Sequence, residues 1–289
     1  MIWLIGNKGM LGTELSLLLE KGAIPFTGTD REVDITDPAA IMDFIQRQAE
    51  PFKWIINCAA YTAVDKAEDD RENCRLLNTE GAGNIAKVAC KTGARLIHIS
   101  TDYVFSGRGN RPYTEEDATD PIGVYGLTKR DGELEVLEKN TKSYIIRTAW
   151  LYGKYGNNFV HTMFRLMKEK GEVKVVDDQK GSPTWTRDLS ETIITLLHAS
   201  GTKAIPYGIY HFTNEGEVTR FDFAKEIYTQ ARALHLLSNK CKIIPCASDD
   251  FPAKVKRPEY SVLDKTKIKD TMGITIPKWN ISLEKFLNA

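Results

Sequence analysis

Tyr125 and Lys129, in the stretch Tyr-Gly-Leu-Thr-Lys, place a phenol and an ammonium four residues apart. On a helix that spacing puts both side chains on one face. A phenol with a pKa of about 10 is a poor acid–base group near neutrality until a fixed positive charge favours its phenolate. Lys129 can supply that charge. Tyr125 can then protonate a carbonyl oxygen as hydride reaches the carbon. Thr101, in Ser100-Thr101-Asp102-Tyr103, offers a hydroxyl to orient the same oxygen. Y-x-x-x-K also arises by chance on many helices, so its meaning depends on its surroundings.

The second chemical feature is Gly6-Asn7-Lys8-Gly9-Met10-Leu11-Gly12. Glycines between a strand and a helix let the backbone approach a pyrophosphate, which then sits at the positive end of the helix. The spacing is G-x-x-G-x-x-G, not the commoner G-x-G-x-x-G. Three glycines also make a bare structural turn, so the strand–turn–helix context carries the reading. Asp30 closes the following strand, where a carboxylate can accept from an adenosine ribose. Arg31 could instead face a 2′-phosphate. The pair leaves NADH against NADPH open, with a solvated Asp-Arg-Glu turn as the alternative. Asp34 is a further candidate for the adenosine end.

These residues need elements to hold them. Apolar runs at Ile2–Ile5, 23–28, 54–59, 95–100 and 144–148 read as strands. Between them, helical periodicity marks 10–20, 38–49 (Asp37 as N-cap, Pro38 at N1), 73–92 ending at Gly93, and 125–138. Strand–helix alternation with strands apolar throughout predicts a doubly wound parallel sheet, a Rossmann-like α/β fold. Thr101 then stands at the carboxyl edge of the fourth strand, where open α/β sheets bind ligands. After Trp150 the pattern loosens. Helices are expected at 158–170, 188–199, 221–236 and from Ser282, and strands at 173–176 and 209–212, with a Pro-punctuated stretch from Pro245 to Pro258. The division expected is a dinucleotide-binding domain over 1–150 and a smaller mixed α/β lobe over 151–289, some of whose segments return to the first.

Composition narrows the classes. The 289 residues carry 39 Lys+Arg against 39 Asp+Glu, a formal charge of zero. That balance argues against a nucleic-acid binder, which needs an excess of basic residues. No run approaches the ~20 apolar residues of a spanning helix. The N-terminus lacks the basic region and cleavage site of a signal peptide, so no membrane and a cytoplasmic location are expected. The five cysteines, Cys58, Cys74, Cys90, Cys241 and Cys246, show no C-x-x-C and read as free thiols. Cys58 and Cys90 are expected to be buried as small hydrophobes.

Taken together, the motifs resemble the dTDP-4-dehydrorhamnose reductases, within the extended short-chain dehydrogenases/reductases. The stretches that carry the resemblance are GNKGMLGTEL (6–15), INCAAYTAVDKAE (56–68), STDYVFSG (100–107), PIGVYGLTK (121–129), RTAWLYG (147–153), GNNF (156–159), DDQKGSPT (177–184) and KRPEYSVLD (256–264). They run nearly the whole chain in family order.

The resemblance implies a catalytic trio of Thr101, Tyr125 and Lys129. It implies a nicotinamide cofactor, NADPH or NADH, lined by Gly6, Gly9, Met10, Leu11, Gly12, Asp30, Asp34, Cys58, Ala59, Ala60, Tyr125 and Lys129. The implied reaction is hydride delivery to C4 of a dTDP-linked 4-keto-6-deoxy sugar, with Tyr125 protonating O4. The sugar nucleotide would meet Thr101, Asp102, Tyr103, Trp150, Asn158, Phe159 and Arg257. Trp150 as plain packing, Asp102 as a local cap and Arg257 as a surface residue stand as alternatives. Some family members form a dimer bridged by Mg²⁺ through carboxylates. Glu14 occupies one such position, but Arg187 stands at the other with Asp188 beside it. An arginine repels a cation, so no metal site is expected, and a homodimer stays open. Two rival functions remain: a reductase, epimerase or dehydratase of another keto sugar, and a non-catalytic dinucleotide-binding subunit like the beta subunit of methionine adenosyltransferase. Turnover of a keto sugar, against copurification with a synthetase, separates them.

Overall fold

A computed structural model describes residues 1–202, 205–251 and 253–289. The expected strands form with small shifts: β1 (Ile2–Ile5), β2 (Phe26–Thr29), β3 (Trp54–Asn57), β4 (Arg95–Thr101) and β5 (Ser143–Thr148). A sixth strand, Gly208–His211, comes from the far half of the chain and pairs with β5, matching His211 to Arg147. The sheet order is Gly208–His211, β5, β4, β3, β1, β2, and every neighbouring pair is parallel. β1 lies between β2 and β3, so successive crossovers leave it in opposite directions. That switch point opens a crevice at the carboxyl edge.

Both faces of the sheet are buried. One carries Leu4, Ile56, Ile97 and Ile146 against Leu11, Leu15 and Leu19 of α1 (Met10–Lys21) and Leu189, Ile193 and Leu196 of the helix Thr186–Thr202. The other carries Trp3, Ile5, Ile55 and Leu96 against Ile41 of α2 (Pro38–Gln46) and Ile85 and Ala89 further along. Asp37 caps α2 by accepting from the Ala39 N–H at 2.8 Å, as Pro at N1 invites.

The helix expected over 73–92 is broken. It runs as α4 (Arg71–Arg75), following the single turn α3 (Val64–Ala67), then a π-helical turn over Leu76–Gly81, then α5 (Ala82–Thr92). The break has a tertiary cause. Asn78, within the π turn, accepts from the Tyr61 N–H at 2.8 Å and donates to the Tyr61 carbonyl at 3.1 Å. A wide turn re-aims a side chain that regular helical register would point elsewhere. α5 ends at Gly93, whose φ of +73° is the left-handed stop that glycine adopts freely.

The later residues build a second apolar cluster from Tyr152, Val160, Val173, Phe223, Ile227 and Leu283. Around it lie the helices Phe159–Glu169, Arg220–Ala233 and Trp279–Leu287 and the parallel strands Glu172–Val176 and Lys242–Cys246. The last helix starts at Trp279, ahead of the expected Ser282, because the Trp279 N–H bonds the Glu215 carbonyl across the fold. Pro252, in the Pro-punctuated stretch, lies outside the described residues. Cys90 corrects an expectation: it is exposed, one helical step past buried Ala89, whereas Cys74 and Cys241 are the buried thiols. Among the described residues, no helix is long and apolar enough to cross a membrane.

Candidate active site

A cleft of about 1130 Å³ opens along the carboxyl edge of the sheet. Its floor at one end is the β1–α1 turn. Gly6 has φ +76°, and a Cβ there would lie 2.8 Å from the Ala59 backbone nitrogen. At Gly12 a Cβ would lie 2.1 Å from the Gly6 carbonyl oxygen. Only glycine permits this closure. It leaves the first amides of α1 without a side-chain cap, a cradle suited to a pyrophosphate. Gly6, Gly9, Met10, Leu11, Asp30, Asp34, Cys58, Ala59 and Ala60 all line the cleft, while Gly12 packs beneath it. Arg31 also lines it. Asp34 accepts from the backbone N–H and hydroxyl of Thr36 at 2.8 and 2.7 Å, which steadies the turn at that end.

Thr101, Tyr125 and Lys129 line the middle of the cleft. Tyr125 and Lys129 belong to α6 (Val124–Lys139), and Thr101 ends β4. Burial pushes the Tyr125 phenol well above its ordinary pKa, and the Thr101 hydroxyl pulls the other way. The phenol therefore keeps its proton, the state a general acid requires.

Lys129 is buried, and its Nζ donates to the Ile99 carbonyl at 2.7 Å. Nζ also lies 3.2 Å from Nε2 of His98. The Ala59 N–H fixes Oδ1 of Asn57 at 3.0 Å, so Nδ2 of Asn57 donates to Nδ1 of His98 at 3.1 Å. A neutral imidazole accepting at Nδ1 carries its hydrogen on Nε2, facing the lysine. Burial, followed by the Lys129 charge, keeps His98 neutral. Burial lowers Lys129 to about 8, with Glu133 pulling upward. At neutral pH the ammonium still prevails. With a hydrogen on Nε2 and a protonated Nζ, the hydrogen bond that anchors the ammonium is the one to the Ile99 carbonyl, while Tyr125 and Lys129 both line the cleft from α6.

Ser100 turns inward and donates to Glu133. Glu133 in turn takes a two-pronged bond from Arg147, at 2.9 Å from Nε and 2.6 Å from Nη2. Both side chains are 3% exposed. This pair ties α6 to β5.

The far wall is made differently. Asp102 is buried, with Thr101 donating to its Oδ1 at 3.0 Å, but its Oδ2 has no hydrogen-bond partner among the described residues. Burial raises this carboxyl to about 6, and the nearby Ser261, Thr101 and Arg220 hold it back from rising further. The Ser261 hydroxyl lies close enough to be felt, yet it too lacks a partner of ordinary geometry. The ring of Tyr103 meets Tyr125 edge-on at 5.4 Å. Trp150 has φ +47°, a conformation rare for a bulky residue. Its ring is trapped between the Gly181 backbone, where a Cβ would come within 2.6 Å, and the guanidinium of Arg220, 3.6 Å from the ring centre.

Asn158, Phe159 and Arg257 stand apart from the cleft lining. Asn158 caps the helix Phe159–Glu169 by accepting from the His161 N–H at 3.1 Å, and it donates to the Gly153 carbonyl. Its neighbour Asn157 is the asparagine that faces the cleft. Phe159 stacks on Phe223 at 5.6 Å. Arg257 pairs with Asp65. Sequence reasoning missed Arg220, which lines the cleft and begins the helix Arg220–Ala233. The available signal was Thr219, which caps that helix by accepting from the Asp222 N–H at 3.1 Å. A capping residue fixes the backbone that follows, but not which way the first side chain faces.

Glu14 and Arg187 meet at 2.9 Å, and Arg187 also binds Glu191 at 2.9 Å. The guanidinium thus occupies the space between the carboxylates.

The whole chain, residues 1–289, matches the family model described as the RmlD substrate binding domain. A dTDP-4-dehydrorhamnose reductase of Streptomyces griseus is 41% identical over 290 residues, covering 99% of this chain and 93% of that protein. Among solved structures, a dTDP-4-dehydrorhamnose reductase of Clostridium acetobutylicum superposes with TM-score 0.92 at 38% identity, covering 99% of this chain and 98% of that one. The enzyme of the same description from Bacillus anthracis, in complex with NADP, gives the same score, identity and coverage.

Proposed function

This chain belongs to the RmlD substrate binding domain family, and on that premise we propose that it reduces the C4 ketone of dTDP-4-dehydro-L-rhamnose to give dTDP-L-rhamnose. The observation that carries the reading is the convergence of Thr101, Tyr125 and Lys129 on one cleft whose other end is the Gly6–Gly12 cradle. The cofactor is NADPH or NADH, and the Bacillus anthracis relative holds NADP.

The residues present fit such a dinucleotide. The glycine turn closes as only glycine allows, the N-terminus of α1 has no side-chain cap, and Asp30, Arg31 and Asp34 line the same cleft, which suits the adenosine half of the cofactor. When bound, the reduced nicotinamide supplies hydride. Thr101 orients the ketone oxygen, and Tyr125 gives it a proton. Lys129, anchored at the Ile99 carbonyl, holds positive charge beside the phenolate that remains. Asp102, Tyr103 and Trp150 shape the sugar site, with Asn158 and Phe159 supporting its edge and Arg257 near the nucleotide. Residues 1–150 serve as the dinucleotide half and 151–289 mainly as the sugar-nucleotide lobe. The strand Gly208–His211 and the helix Thr186–Thr202 go back to the first half. The enzyme acts in the cytoplasm, with a sugar nucleotide rather than nucleic acid or membrane as its partner. The Glu14–Arg187 pair disfavours a Mg²⁺ bridge between copies.

The test is loss of reduced-nicotinamide absorbance on adding dTDP-4-dehydro-L-rhamnose, with both cofactors. Tyr125-dependent loss establishes the reductase. No loss with either cofactor, in protein that binds dinucleotide, overturns it in favour of another keto sugar or a regulatory subunit.

A further inference from the structure

Arg220 is a half-buried cation in the cleft wall that the catalytic scheme above does not use. Its guanidinium lies flat on Trp150 at 3.6 Å and 5.0 Å from the ring of Phe159, so its faces are held by aromatic rings. Among the described residues its N–H groups make no hydrogen bond and no ion pair. Asp102 and Tyr103 act on it only through space, and burial lowers it to about 10. It remains charged at any physiological pH.

A guanidinium clamped by aromatic rings at a cleft wall, with its fork unfilled, offers paired donors that an anion can complete. The neighbouring groups say which kind. Asp102 lines the same cleft, and its buried Oδ2 has no hydrogen-bond partner among the described residues. Arg257 repels Arg220 through space, and both arginines act electrostatically on Tyr103. Of the two, Arg257 already has a carboxylate in Asp65. A group carrying both a hydroxyl donor and a multiply charged anion answers all three observations, and a glycosyl diphosphate is such a group.

We propose that Arg220, stacked on Trp150 and unpaired among the described residues, is the primary receptor for the diphosphate of the substrate, with Asp102 taking a hydroxyl of the adjoining sugar. Arg257 adds its positive charge to the same site. The aromatic rings fix the plane of the fork, so both of its N–H pairs meet paired phosphate oxygens without further ordering. This assignment rests on the sugar-nucleotide reading of the cleft.

The experiment is calorimetric titration of protein saturated with NADP⁺, using thymidine, dTMP, dTDP and inorganic pyrophosphate as probes. Arg220→Met keeps the volume on Trp150 and removes the charge. It is expected to reduce the preference for dTDP over thymidine by about 10- to 100-fold, the scale of hydrogen bonds to a charged group. Its melting temperature and NADP⁺ affinity should match those of the wild type. Arg220→Lys, which keeps the charge and loses the fork, should fall between the two and covers the case in which Arg220→Met does not fold. An unchanged dTDP-to-thymidine ratio in the folded variant overturns the assignment. If the wild type reduces no dTDP-keto sugar yet binds pyrophosphate in an Arg220-dependent way, the substrate reading fails and the anion site stands. If turnover is normal and the ratio is indifferent to Arg220, the anion site alone fails.

Discussion

Two walls of one cleft treat their buried polar atoms in opposite ways. On the α6 side they are paired: Lys129 with Ile99, His98 with Asn57, Asn57 with the Ala59 amide, and Glu133 with Ser100 and Arg147. On the Trp150 side, Asp102 Oδ2 and the Ser261 hydroxyl are buried without partners among the described residues, and Trp150 sits at positive φ. Unmade hydrogen bonds cost more than made ones contribute. The α6 wall is therefore complete in the protein alone, organised before anything binds. The Trp150 wall carries a debt that a ligand can discharge. Removing a polar group should hurt the fold on the first wall and relieve it on the second.

The largest effect expected is Tyr125→Phe. Losing the proton donor should lower kcat by about 10²–10⁴-fold while cofactor affinity, read by fluorescence titration, stays level. Near-normal turnover would remove the phenol from the chemistry. Next, Glu133→Ala strands Arg147 in the core, and chemical unfolding should show a loss of about 3–5 kcal/mol. A loss below about 1 kcal/mol would mean that the α6 wall does not depend on that pair.

Asp102 tests the opposite wall. Its carboxyl titrates at about 6 against an ordinary 3.8, so the folded chain holds the proton more tightly than the unfolded one. Stability should then fall as pH rises between those two values, by about 3 kcal/mol in all. In Asp102→Asn that decline is absent, so the variant should gain on the wild type between about pH 4 and pH 7 in paired urea titrations. Parallel curves would show that the carboxylate is satisfied after all. The smallest effect is Thr219→Ala, which removes the cap ahead of Arg220 and should cost about 1 kcal/mol in melting experiments. A dTDP affinity that falls with it would link that cap to the placement of the guanidinium.

The same division marks what could be read from sequence. Five strands of the sheet and the helices between them are legible because buried parallel strands and amphipathic helices leave periodic apolar patterns. Thr101, Tyr125 and Lys129 are legible because one strand end and one helix face place them. The π turn over Leu76–Gly81 is not, since it answers to Tyr61, far away in sequence on another segment. Arg220 is invisible for a related reason: a lone arginine after a cap looks solvated until Trp150 is seen beneath it. Asn158 matched a motif, but its side chain caps its own helix and Asn157 faces the cleft. Periodicity reports what packs locally. It is silent on contacts that two distant segments make only together.

The strand Gly208–His211 bears on how the chain is made. β5 is buried along its whole length and borders this strand, which follows it by some sixty residues. A nascent chain that has released β5 from the ribosome therefore shows a raw hydrogen-bonding edge, open to any passing strand. That edge stays open until His211 emerges. Synthesis at about 5–20 residues per second leaves it uncovered for seconds, longer than a hairpin or helix takes to form. Truncation between β5 and that strand should consequently yield aggregates rather than an isolated nucleotide-binding half.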